Sequence, residues 1–190
     1  GASFTYQARV IDAAANVGAT DSQAITIDTT APAAAVDITA IADDTGTPGD
    51  FITSDTTLMV SGTHGALGAD EKVQVSSDGG TTWSDVTTSD ATTWSFTDPT
   101  VHGASFTYQA RVIDAAANVG NTDSQAVTID TTAPAAVVDI TAIADDTGTA
   151  GDFTTSDTTL TVSGSNGALG AGEKVQVSND GGATWVDVAQ

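Results

Sequence analysis

The feature that most constrains this chain is that it repeats itself. GASFTYQARVIDAAANVG at 1–18 returns unchanged at 103–120, and VDITAIADDTGTPGDF from Val36 returns as VDITAIADDTGTAGDF from Val138. The period is 102 residues, and roughly five in six aligned positions are identical. A period of that length is a whole domain with its own core, not the ~20–50-residue unit of a solenoid or propeller blade. One complete period fits, flanked by the end of one repeat and the start of another. The expected division is 1–33 (the last part of one repeat), 34–135 (a complete repeat) and 136–190 (the first part of the next).

Within the complete repeat, alternation and turn residues mark seven short strands, at 36–42, 57–62, 72–77, 82–87, 92–97, 105–114 and 123–130. In the sixth, Phe106, Tyr108, Ala110 and Val112 alternate with Thr107, Gln109 and Arg111. No segment carries a useful helical period, and the run Ala115, Ala116, Ala117 is too short for an independent helix. Seven strands in about 100 residues predict an all-β fold, an antiparallel two-sheet sandwich of immunoglobulin or fibronectin type III kind. The repeats are joined by Asp-Thr-Thr-Ala-Pro at 28–32 and 130–134. Proline fixes φ and biases its predecessor toward extended backbone, so this reads as a short, stiff connector rather than a Gly/Ser tether.

Charge limits the partners. Four Lys and Arg stand against 25 Asp and Glu, a net charge of −21, so nucleic acid and anionic membranes are repelled. No apolar run approaches the ~20 residues of a membrane span. Cysteine is absent, which removes disulfides and thiolate metal sites. Gly1-Ala2-Ser3-Phe4 has no signal-peptide character. The expectation is a window cut from a longer array. The competing expectation is that the two partial repeats of neighbouring molecules pair head to tail into a filament.

The acids cluster in two places. Asp43, Asp44, Asp50 and Asp55 share the loop after the first strand, with Gly46 and Gly49 free to bend it, and they recur as Asp145, Asp146, Asp152 and Asp157. Hard cations such as Ca²⁺ take several carboxylate oxygens from one flexible loop, and close carboxylates repel without a counterion. The spacing is not that of an EF-hand, and Asp, Gly and Thr also favour plain turns. The second place is the turn Asp114-Ala-Ala-Ala-Asn118, repeated at 12–16. In a sandwich this turn lies at the pole where the chain enters. Asp28 of the incoming linker, Asp114, Asn118 and either Asp70 or Glu71 can therefore converge on one ion between repeats. Turn capping is the alternative role for Asp114 and Asn118. At the opposite pole, Asp130 of the outgoing linker lies near the first acidic loop.

Ser76-x-Asp78-x-Gly80-x-Thr82-Trp83, repeated as Ser178-x-Asp180-x-Gly182-x-Thr184-Trp185, resembles the Asp-box hairpin of sialidases and other β-propellers. That box is a structural turn, and Trp83 caps it with apolar area. A sialidase needs an arginine cluster, whereas the only arginines here, Arg9 and Arg111, are one position in two repeats. His64 becomes Asn166 in the next repeat, and His102 sits in a turn with no Ser or Cys partner in a nucleophile motif. No phosphate-binding glycine loop is present. The chain is read as not an enzyme.

Taken together, IADDTGTPGDFITSDTTLMVSGT, W-S-F, YQARVIDAAANVG and IDTTAP resemble the bacterial Ig-like repeats of giant type I-secreted adhesins and biofilm-associated surface proteins. The resemblance covers the whole chain. It implies an extracellular spacer on the bacterial surface, rigidified by Ca²⁺ at and near the junctions. Its ligands by resemblance are Asp28, Asp114 and Asn118 at one junction, and Asp43, Asp44, Asp50, Asp55 and Asp130 at the other pole. One departure is that the family's turn often reads D-x-A-G-N, where this chain has Ala117 in place of the glycine. The implied partners are neighbouring repeats of the same chain and, in the filament reading, other copies. Rival functions are a self-assembling surface filament using strand exchange and a glycan- or protein-binding adhesive module.

Overall fold

A computed structural model describes residues 2–88 and 90–188. These form strands and no helix. The chain divides into two compact units, 1–131 and 132–190.

The first unit opens with a hairpin of β1 (Phe4–Ile11) and β2 (Val17–Ile25). A complete two-sheet sandwich follows. Its strands are β3 (Val36–Ile41), β4 (Ile52–Thr53), β5 (Thr57–His64), β6 (Lys72–Ser76), β7 (Ser84–Asp85), β8 (Thr87–Thr88), β9 (Thr93–Val101), β10 (Phe106–Ile113) and β11 (Val119–Ile129). One sheet runs β4-β11-β10-β6-β7 and the other β3-β5-β9-β8. All pairings are antiparallel except that of the short β4 with the end of β11. The expected stretch 82–87 is therefore two strands on two sheets. Asp78 to Trp83 are occupied by a turn, and only after it does the chain add β7 to one sheet and β8 to the other. The last expected strand also starts earlier, at Val119, because the β10–β11 hairpin closes tightly after Asn118.

The core follows from the alternation. Val36 and Ile38, Leu58 and Val60, Val73 and Val75, Tyr108, Ala110 and Val112, and Val127 point inward and are buried with Trp94. Trp94 donates its indole N–H to the Thr63 carbonyl at 3.0 Å, so its one polar atom is satisfied. Its ring lies against Gly62, where a Cβ would stand 2.5 Å from the indole and 1.9 Å from the Asp37 carbonyl oxygen. Beside this point β3 and β5 shift register between Ile38 and Ala40. The Ile38 amide donates to Asp123 Oδ2 on β11 at 2.8 Å, a bond that ties the two sheets together.

The second unit repeats the early strands as β12 (Val138–Ile143), β13 (Val162–Asn166), β14 (Gln176–Val177) and β15 (Val186–Asp187), paired β12-β13 and β14-β15. The β12–β13 register matches β3–β5 residue for residue, including the shift at Ile140/Ala142.

Candidate functional site

The junction site is built on the β10–β11 turn. Asp114 Oδ1 accepts the amides of Ala116 (2.9 Å) and Asn118 (2.8 Å), and Asn118 Nδ2 donates to Asp114 Oδ2 at 2.8 Å. The side-chain bond from Asn118, more than any other contact, holds the Asp114 carboxyl below the usual carboxylate range. Ala117 has φ 65°, in the left-handed region. The turn thus keeps a conformation that favours glycine, with alanine standing in it. The first hairpin closes identically through Asp12 and Asn16, with Ala15 at φ 63°.

Asn118 Nδ2 also donates to the backbone carbonyl of Asp28 at 3.2 Å. Asp28, Asp114 and Asn118 therefore do meet, but Asp28 arrives through its main chain. Its Oδ1 instead accepts the Thr30 amide at 2.9 Å and shapes the linker. Glu71 accepts the Gly68 amide and caps its own turn.

At the other pole the acidic loop is held open by left-handed residues, Asp43 (φ 54°), Gly46, Gly49 and Phe51 (φ 59°). Most of its acids serve the backbone. Asp50 accepts the Ile52 amide, and Asp55 accepts the amide and hydroxyl of Thr57. The Asp43 carbonyl accepts Thr53 Oγ1 at 2.7 Å, and the Asp130 amide donates to the Thr53 carbonyl at 2.9 Å. Asp44 differs. Its Oδ2 accepts the Gly49 amide at 2.7 Å, whereas its Oδ1 is buried with no hydrogen-bond partner. The same holds in the second copy, where Asp146 Oδ2 accepts Gly151 N and Asp146 Oδ1 is buried and unpartnered. Asp145, Asp152 and Asp157 repeat the capping roles through Thr155, Thr154 and Thr159. Among the described residues no three His, Cys, Asp or Glu side chains gather as a ready metal cage.

A cation fits these two places unequally. An oxygen of a carboxylate that is buried and unpartnered is costly, and an ion beside it removes the cost. That condition is met at Asp44 and Asp146. At the junction, Asp114 has both oxygens engaged by its own turn, and its neighbours there offer carbonyl oxygens.

The box at 76–83 is a turn stabiliser. Asp78 takes the Thr82 hydroxyl (2.6 Å) and amide and the Ser76 hydroxyl (2.8 Å), and the Thr82 bonds above all lower its pKa to about 2. Trp83 Nε1 donates to the Gly80 carbonyl, and the Arg111 guanidinium lies 3.9 Å over the Trp83 ring while donating to Gln74 Oε1.

Sequence reasoning missed a buried polar cluster. Asp98 Oδ2 accepts His102 Nε2–H at 2.9 Å and the Tyr108 hydroxyl at 3.0 Å, and Asp98 Oδ1 accepts the Thr100 amide at 2.9 Å. Burial pushes the Asp98 carboxyl up, but the bonds from His102, Thr100 and Tyr108 outweigh it and leave it lowered. Burial first, then the Asp98 charge, raises the Tyr108 hydroxyl. His102 stacks on Phe106 with centroids 3.6 Å apart. No sequence signal marked it, because the strand expected at 92–97 stops short of Asp98, which the structure places inside β9.

The family model described as bacterial Ig-like domain matches residues 30–131. Among solved structures, the chain is similar to one from a study of host cell surface retention of a 1.5-MDa bacterial ice-binding adhesin. The identity is 24%, the TM-score 0.36, and the match covers 75% of this chain and 46% of that one. No curated protein matches the chain.

Proposed function

Because the chain belongs to the bacterial Ig-like domain family, we propose that it is part of an extracellular spacer in a repetitive bacterial adhesin, and that it is not an enzyme. The observation that carries this reading is the near-identical 102-residue repeat, joined through a proline linker whose carbonyls seat on the next sandwich. A stalk gains length from each copy of such a domain.

Calcium stiffening is part of the proposal. Asp44 and Asp146, with their free buried oxygens, are the residues best suited to hold an ion, joined by oxygens of the same loops from Asp43, Asp50, Asp55 and their counterparts Asp145, Asp152 and Asp157. Asp28, Asp114 and Asn118 form the junction site, and Asp130 leads from one acidic loop into the next linker. A bound divalent ion supplies positive charge between carboxylates. Binding to the folded state alone raises stability as RT ln(1 + [L]/Kd).

The test is the melting temperature and small-angle scattering of the stretch 34–135 and its tandem dimer, with Ca²⁺ and with chelator. Calcium is expected to raise the melting point and lengthen the dimer. If neither moves, the acids are turn caps and the metal part of the reading is wrong. Catalytic activity against any glycan or peptide substrate would overturn the rest.

A further inference from the structure

The linker into the complete repeat is held by more than Asn118. Asn121, three residues on, donates through Nδ2 to the carbonyls of both Ala33 (3.0 Å) and Ala34 (2.9 Å), so both hydrogens of one amide are used on the linker. Gly120 lies between the two asparagines. A Cβ there would fall 2.4 Å from the Pro32 carbonyl oxygen and 2.8 Å from Pro32 Cβ, so only glycine admits the proline, which is buried. The turn thus holds the main chain on both sides of Pro32, at Asp28 before it and at Ala33 and Ala34 after it. Proline's own φ is fixed, so holding its flanks sets the direction in which the chain enters the sandwich.

Two of these three seat residues are common to both copies, as Asn16 and Gly18 in the first hairpin. The third is not, because Ala19 stands where the complete repeat has Asn121. Alanine cannot donate to a linker carbonyl. We infer that the repeat junction contains a metal-independent lock made of side-chain amides, and that residue 121 sets its strength from one repeat to the next. A string of such repeats then has firm joints where Asn stands and looser joints where Ala stands, coded by one residue. This rests on the spacer reading, since a joint matters only in an array.

The test uses the full chain, which has no cysteine, so two introduced cysteines are its only label sites. Spin labels at Thr30→Cys on the linker and Thr107→Cys on β10 report the linker-to-sandwich distance distribution, with chelator present. The wild type is expected to give a narrow distribution. Asn121→Ala is expected to broaden it through a roughly tenfold rise in the undocked population, the weight of two ordinary hydrogen bonds. Ala19→Asn, remote from this linker, is expected to leave it unchanged. Asn121→Ala copies the residue of the preceding repeat, and an unchanged unfolding transition followed by tryptophan fluorescence in a Trp83→Phe, Trp185→Phe background, which leaves Trp94 as the reporter, shows that the sandwich is intact. A distribution as narrow in Asn121→Ala as in the wild type overturns the lock. So does a wild type that is broad in chelator and narrows only with Ca²⁺, an outcome that leaves the calcium-stiffened spacer standing. A wild type that is narrow in chelator, broad after Asn121→Ala and indifferent to Ca²⁺ upholds the lock and removes calcium from the joint.

Discussion

At the residue scale, three side chains make separable predictions. Ala117 occupies a left-handed turn position at φ 65°, which costs an L-residue about 1–2 kcal/mol. Ala117→Gly is therefore expected to stabilise the sandwich by about 1 kcal/mol in urea unfolding, glycine's greater freedom in the unfolded chain offsetting part of the gain. His64 is buried with Nδ1 bonded to the Gly65 carbonyl at 2.7 Å and Nε2 unpartnered. Asn166 makes the same bond to Gly167 at 2.9 Å without the stranded nitrogen. His64→Asn is expected to leave stability within about 1 kcal/mol of the wild type or above it, and a larger loss in the same urea titration shows that the imidazole packs irreplaceably. Asp98→Asn removes the charge that anchors His102 and Tyr108 and is expected to cost about 3 kcal/mol. Because the folded-state Asp98 carboxyl is lowered, its contribution is complete above the unfolded value of about 3.9 and fades as pH falls through the folded value. Acid titration of unfolding should therefore show a smaller loss below about pH 4 in the variant than in the wild type. The sequence foretold part of this level. The meeting of Asp28, Asp114 and Asn118 followed from where a sandwich puts that turn. That Asp28 comes by its backbone oxygen did not, because main-chain direction in a linker is set by the seat on the next repeat. The Asp98 cluster was invisible because β9, β10 and the segment after β9 become neighbours only when the sheets close.

Elements were more legible than side-chain networks, and the two hairpins show why. β1–β2 and β10–β11 share the same register and the same irregularity before Ile11 and Ile113. Yet Tyr6 is 65% exposed where Tyr108 is fully buried. Local sequence sets the register, and the facing sheet alone supplies the burial. Alternation therefore placed most strands. It failed at 82–87, where a six-residue β-rich stretch is cut by the change of sheet, and at β4, whose two residues carry no period. The parallel pairing of β4 with β11 depends on the acidic loop folding back, with Phe51 and Thr53 carbonyls accepting the Thr128 and Asp130 amides. Gly62 is where an element and the core meet most tightly. Gly62→Ala drives a methyl into the Asp37 carbonyl and the Trp94 ring, so β3 or Trp94 must move. The expected cost is roughly 3 kcal/mol or more, read as a lowered urea midpoint, with the tryptophan emission shifted to the red when Trp94 is the only tryptophan left. The corresponding Gly164 would meet the Asp139 carbonyl at 2.2 Å, so the same constraint is written into both copies.

For the whole molecule the governing quantity is a charge of −21 spread over 190 residues. Cations can relieve it in two ways that equilibrium stability alone confuses. Diffuse screening depends only on ionic strength, with a Debye length of about 10 Å at 0.1 M salt. Site binding depends on the identity of the ion. Most of the carboxylates here are exposed, so screening is expected to act on those alike. Asp44 and Asp146 are the exceptions, because a buried oxygen without a partner is reached poorly by a diffuse ion cloud and well by a bound ion. The experiment is a thermal melt of the full chain at fixed ionic strength, replacing part of the sodium chloride by millimolar calcium or magnesium chloride. Sodium alone is expected to raise the melting temperature and level off. Calcium at matched ionic strength is expected to raise it further, and magnesium less, since Mg²⁺ gives up its water reluctantly and demands near-octahedral geometry that a carbonyl-and-carboxylate loop does not offer. Asp44→Asn combined with Asp146→Asn should abolish the calcium increment and keep the sodium effect. If calcium matches sodium at equal ionic strength, the acidity of the chain is a solubility device, and the stiffness of its joints rests on Pro32, Asn118 and Asn121 alone.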